Sequence, residues 1–336
     1  LTDTGARQGL WLGLACAIGA GLAWGLVFVA PVMLPGYPPL VLSAGRYLAF
    51  GLVALALAWH SRQALQQLSK ADWIKAGWLS LIGNLVYYVF LAAAIQTAGV
   101  PMPTMLIGTL PVVIAVVSNL SDRALPWRRL APSLAIILAG ILLVNHTEIA
   151  TLTGIGESAR SARHGDESAL SRHGLGAMLA MVAVVCWTWY PISNARWMQR
   201  NPEVSPSTWA TAQGLTTLPL AIIAWGLALA VETVTPLASG ASPTQFDFPL
   251  GPQAMHFVLL MTLLGLVSSW LGTRLWNEAS RLLPTSLTGQ LIVFETLAAL
   301  AYGYAWRGDW PAPTAAVGIG LLIVGVAIGA NAFRPR

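Results

Sequence analysis

Charge is what this sequence has least of. Asp, Glu, Lys and Arg make up only 9% of its 336 residues, against about 25% in a soluble domain, so there is too little charge to coat a surface in water. Cysteine is nearly absent too. Cys16 and Cys186 both lie inside apolar stretches, which excludes a disulfide framework and fits buried packing. The five histidines, His60, His146, His164, His173 and His256, fall in connections or near the ends of apolar runs. That leaves neither clustered metal ligands nor a nucleophile beside a base at depth, so no catalytic residue, metal or cofactor is expected. No Gly-rich phosphate loop ending in Lys and Ser or Thr is present, which excludes direct ATP hydrolysis. Gly19-Ala20-Gly21 has the outline of a dinucleotide fingerprint but sits inside an apolar run with no strand before it. Net charge is +5, yet no basic patch alternates with aromatics, so nucleic acid is not an expected partner.

What is there is hydrophobic: 56% of the chain, in long runs. Five of them cover Leu10–Leu34, Pro39–Trp59, Trp73–Thr97, Pro101–Asn119 and Leu130–Val144. After a polar stretch come Gly174–Met198, Ser207–Val231, Ala254–Ser280, Pro284–Tyr304 and Pro313–Phe333. A helix crossing a bilayer needs about 20 apolar residues, and helices satisfy their own backbone in lipid. The expected fold is therefore an all-α integral membrane protein of ten transmembrane helices. The first run is longer than the h-region of a signal peptide and reads as a retained helix. With the N-terminus inside, the cytoplasmic connections carry Arg7, Arg62, Lys70, Lys75, Arg123, Arg128, Arg129, Arg200, Arg281, Arg334 and Arg336, and the opposite ones Arg160, Arg163, Arg172 and Arg307. That imbalance predicts both termini in the cytoplasm. The polar stretch repeats Arg-His-Gly at 163–165 and 172–174 and reads as a solvated linker, not a metal site. Glu232–Gln253, rich in Pro, Ser, Thr and Gly, reads as a second outer loop.

The two halves echo each other. Trp24 and Pro31 answer to Trp187 and Pro191, and Ser43-Ala44-Gly45-Arg46 to Ala210-Thr211-Ala212-Gln213. Gly83 answers to Gly265 and Gly140 to Gly325. Residues 1–145 are thus expected to form one five-helix repeat, 146–173 an extracytoplasmic loop and 174–336 a second repeat. Five is odd, so the second copy enters the membrane from the other side, the inverted arrangement of many secondary transporters.

These features resemble the drug/metabolite transporter superfamily, specifically its ten-helix members built from two five-helix (EamA-type) repeats. The carriers of the resemblance are Trp24-Gly25, Arg46-Tyr47, the hairpin from Ala92-Ala93-Ala94-Ile95-Gln96-Thr97 into Pro101-Met102-Pro103-Thr104, and Pro111. In the second half they are Trp276-Asn277-Glu278-Ala279 into Pro284-Thr285-Ser286, Glu295 and Gly325. Within the superfamily the Trp-rich helices are most similar to a bacterial aromatic amino acid exporter. The resemblance implies a secondary transporter, not an enzyme, in the bacterial inner (plasma) membrane. It implies export of amino acids, aromatic or large apolar ones with broad specificity, by alternating access between the repeats. Efflux of cationic drugs, nucleosides or other small metabolites is the alternative. The expected partners are the small-molecule substrate and membrane lipid, with a monomer as the unit. The sequence departs from the family pattern at Gln213, where the first half has Arg46, and at Glu295, near the place Pro111 takes in the first half.

A charge at mid-bilayer costs about 2.5–3.5 kcal/mol on insertion scales, so each one calls for a reason. Glu295, some eleven residues into the ninth run, is a candidate for contacting an amine or titrating, against a structural hydrogen-bonding role. Arg46, a third of the way down the second run, reaches a carboxylate or anchors its helix. Arg274 and Glu278, four apart on one helix, are placed to pair. A cavity needs apolar walls with a few convergent polar groups. Asn84, Tyr87 and Tyr88 fall at spacings three and four and form one helical stripe, while the sixth run offers Trp187, Trp189 and Asn194 and the eighth Trp270, with Trp24 also deep; for the tryptophans, cavity lining competes with plain packing. Pro31, Pro111, Pro191 and Pro219 are expected to interrupt their helices.

Overall fold

The computed structural model describes residues 3–28, 33–34, 36–98, 101–123, 125–146, 167–239, 247–308 and 310–333. Pro31, Arg160, Arg163, His164, Gly165, Arg334 and Arg336 lie outside the described residues, as do the side chains of Arg7, Gln96, Pro101, Met102, Thr104, Arg172, His173 and Arg307. Among the described residues the fold is helical with no strand. In chain order, α1 is Asp3–Gly25 and α2 Pro39–Gln66. Next, α3 (Lys70–Ser80) runs through a π turn at Leu81–Val86 into α4 (Tyr87–Ala98). Then come α5 (Pro101–Gly108), α6 (Leu110–Asp122) and α7 (Trp127–Val144). The second half follows with α8 (Glu167–Arg200) and α9 (Pro206–Ser239). There, α10 (Ala254–Leu264) runs through a π turn at Gly265–Leu271 into α11 (Gly272–Leu282). The last helices are α12 (Thr285–Leu291), α13 (Val293–Arg307) and α14 (Pro313–Ala332).

Among the described residues, eight of the resulting rods are long and apolar enough to cross a membrane. The two expected runs missing from that set, Pro101–Asn119 and Pro284–Tyr304, are each broken in two. At the first break the Thr109 hydroxyl donates to the Leu106 carbonyl at 2.6 Å, and Pro111, in the first turn of α6, has no N–H to continue the ladder. The second break has no proline. Ile292 instead donates back to Gly289 and Glu295 to Ile292, three-residue turns that end α12 and start α13. Two expected interruptions do not occur: Pro191 and Pro219 lie within the continuous helices α8 and α9. Two helices also outrun their apolar cores. α8 begins at Glu167, inside the stretch read as a linker, and α9 runs to Ser239, past the start of the predicted second loop.

The rods pack in pairs: α2 with α9, α7 with α14, α4 with α8, α6 with α12, and α1 with both α11 and α13. In lipid there is no hydrophobic drive between helices, so close approach over small residues supplies the contact. Gly214 meets Ala54 and Phe50 across α9 and α2, and Gly140 meets Gly318 and Leu322 across α7 and α14. One end of the bundle gathers the start of α1 (Gly9 beside Leu282), the end of α2 with Trp197 and Trp209, and the ends of α6 and α14 with the start of α7. Lys70, Lys75, Arg123, Arg128, Arg129, Arg200 and Arg281 belong to this basic end.

Candidate functional site

The centre of the bundle is aromatic. Trp187 on α8 stacks on Tyr87 of α4 (ring centroids 4.8 Å apart) and on Tyr190 (5.1 Å), and meets Trp24 of α1 edge-on at 5.9 Å. Trp24 leans in turn on Trp276 at 5.2 Å. Rings in such stacked and edge contacts hold one another in fixed orientations. Two charges share this region. Arg46 of α2 donates from Nε to Ser269 Oγ at 3.0 Å. Its guanidinium lies 5.0 Å from the Tyr47 ring centre and within electrostatic reach of Glu295 on the first turn of α13. Arg46 and Tyr88 line a cavity of about 30 Å³ together with Val27, Leu42, Ser43, Met261 and Leu264. Six of the expected residues, Trp24, Arg46, Tyr87, Tyr88, Trp187 and Glu295, thus come together from five helices.

The other four are engaged elsewhere. Asn84 lies in the π turn, whose winding is looser than 3.6 residues per turn, so it leaves the stripe expected with Tyr87 and donates to Thr217 of α9 at 3.2 Å. Trp270 donates to Thr211 at 3.1 Å. Asn194 is fully buried and forms the hub of an amide network the sequence did not reveal. Its Oδ1 accepts from Trp209 Nε1 (2.9 Å) and Gln213 Nε2 (3.2 Å), and its Nδ2 donates to Asn277 Oδ1 at 2.9 Å. Tyr190 caps it by donating to Gln213 Oε1, and Asn277 donates onward to the Pro206 carbonyl. Buried amides with their hydrogen bonds filled fix helices against one another. Asn277 and Gln213 stood in noted motifs, but only the fold shows that α8, α9 and α11 face each other there.

Trp189 points away from the centre into a second feature, a cleft of about 730 Å³ between α6 and α8. Thr109, Val113, Val117, Val184, Val185 and Thr188 line its more apolar part, and Lys75, Ser121, Ser193, Arg196 and Arg200 its basic end. Lys75 donates to Ser193 Oγ and lies 4.9 Å from the Trp189 ring centre. Arg196 spans the mouth to Asp122 of α6 at 2.8 Å. The expected Arg274–Glu278 pair does not form: Glu278 binds Arg281 at 2.6 Å and Arg274 is exposed. Among the described residues no group of three His, Cys, Asp or Glu side chains could hold a metal ion.

The profile of the EamA-like transporter family matches residues 11–146. Over 326 residues, 95% of each chain, the sequence is 44% identical to the inner membrane protein YtfF of Escherichia coli (strain K12). The chain belongs to the EamA-like transporter family. As a member of that family with many apolar helices, it is a multi-pass inner membrane protein, and membership points to transport, not to catalysis. A solved crystal structure of a protein 18% identical superposes with a TM-score of 0.64 over 94% of this chain and 96% of its own, a likeness of fold.

Proposed function

We propose that this chain is a secondary transporter that exports amino acids, aromatic or large apolar ones, by alternating access between residues 1–145 and 174–336. The two broken segments count as crossings in this reading, giving ten, with the basic end and both termini in the cytoplasm and one chain as the unit. The observation that carries it is the convergence of Arg46 and Glu295 beside Trp24, Tyr87 and Trp187. A zwitterion with a ring needs a cation for its carboxylate, an anion for its ammonium and flat apolar walls, and these are the groups assembled. A carboxylate among rings also suits a cation alone, which keeps efflux of cationic metabolites as the second reading.

The test is counterflow of labelled phenylalanine or tryptophan in liposomes holding the purified protein, against unlabelled amino acids, organic cations and nucleosides. Saturable exchange competed by amino acids supports the proposal. Competition by cations or nucleosides only would move the assignment to the second reading, and no exchange of any of them would remove both.

A further inference from the structure

The cleft between α6 and α8 is shaped unlike a solute site. Its apolar wall opens sideways: Met181 is 51%, Val185 63% and Val117 39% exposed. From Arg196 to Met181 the groove follows α8 for fifteen residues, about 22 Å, which is longer than one leaflet of a core of about 30 Å. At its basic end the charges are unbalanced. Asp122 is taken by Arg196, and Asp72 is held by Ser69 and by Trp197 Nε1. Lys75 and Arg200 act on each other as like charges, and no described carboxylate forms an ion pair with either. Two cations beside a polar hydroxyl, above a long apolar trough that faces the bilayer, match a phosphate head with a chain below it.

We propose that this cleft binds one anionic phospholipid, its phosphate against Lys75 and Arg200 and one acyl chain along Val113, Val117, Val184 and Val185. Its assignment to the cytoplasmic leaflet rests on the orientation proposed above; the binding itself does not, nor does it depend on the substrate.

Native mass spectrometry of the detergent-purified chain with phosphatidylglycerol or phosphatidylcholine tests it. One phosphatidylglycerol is expected to be retained in preference to phosphatidylcholine. A Lys75→Gln/Arg200→Gln variant should weaken that preference about thirtyfold, the loss of two basic contacts at a membrane surface. Val117→Trp/Val185→Trp, which fills the trough and keeps both charges, should lower retention of either lipid, and an unchanged thermal unfolding midpoint shows that each variant folds. Equal retention of both lipids, retention of phosphatidylglycerol unaffected by either variant, or displacement by glycerol phosphate at concentrations matching the lipid would overturn the proposal, the last showing a soluble anion site instead. Separately, Ser121→Cys should react with an impermeant maleimide only from the cytoplasmic side of membrane vesicles. Reaction from the other side overturns the orientation and the leaflet while leaving the lipid-binding result standing.

Discussion

Two helix pairs, each joining a helix of residues 1–145 to one of residues 174–336, behave differently. The first and ninth runs, α1 and α13, are closed tightly: a methyl at Gly21 would strike Phe294 and the backbone beyond it, and one at Gly25 would strike Ala298. Tyr302 adds a hydrogen bond to the Leu22 carbonyl at 3.1 Å. The sixth and fourth runs, α8 and α6, stand apart around the 730 Å³ cleft. Setting Trp24 against Trp187 places Gly21 on Val184 and Gly25 on Thr188, and both β-branched residues line the cleft. Two glycines let the backbones of one pair touch, whereas at the matching positions of the other pair branched side chains stand between the helices. The molecule is therefore closed at one of these two contacts and parted at the other.

The comparison breaks most severely if α1 is given the side chains of α8. Gly21→Val with Gly25→Thr should part α1 from α13, abolish exchange and cost about 1–3 kcal/mol for each overpacked site, read as a large drop in the thermal unfolding midpoint. A normal midpoint with normal exchange would show that glycine there is incidental. Next in size, Glu295→Gln, one residue beyond Phe294 at that closed contact, should slow exchange by about ten- to a hundredfold, the worth of a hydrogen bond to a charged group. The unfolding midpoint should move little. Unaltered exchange would take Glu295 out of the pathway.

On the other side, Asn194→Ala empties the amide hub and leaves Trp209, Gln213 and Asn277 short of partners. A loss of about 1–3 kcal/mol is expected, checked by denaturant or thermal unfolding in detergent. The smallest effect is expected at the cleft mouth. The Arg196–Asp122 pair is about one-third exposed on both sides, so Asp122→Asn should cost well under about 1 kcal/mol. A disulfide trapped between Val117→Cys and Val185→Cys should form more readily if the pair restrains the helices, and at an unchanged rate if it does not.

Much of this arrangement is legible in the sequence, where hydrophobic length locates the long helices and the deep Trp24, Trp187, Arg46 and Glu295 mark the centre. What could not be read has physical causes. The break before α13 carries no proline, unlike that before α6, so nothing local announces it; Gly289 packs tightly on Ile114 beside the turn. Pro191 and Pro219 do the reverse, sitting inside helices whose neighbours hold them in place. Asn194 reads equally well as lining or as latch until its partners are known, and three of those lie on other helices. Glu278 had two arginines within one turn, and helix periodicity alone does not choose between spacings of three and four.

The matched π turns at Leu81–Val86 and Gly265–Leu271 hold more than a local irregularity. Each stores one residue beyond what an α-helix would use to cover the same height. Winding that residue back into α geometry turns everything beyond it by about 100° about the helix axis. For α4 this would carry Tyr87 off the face of Trp187, and for α11 it would pull Asn277 from Asn194. The aromatic stack is thus geared to the rotation of one rod, α3–α4, and the amide hub to that of another, α10–α11, and a turn of either rod uncouples its own contact without bending any helix.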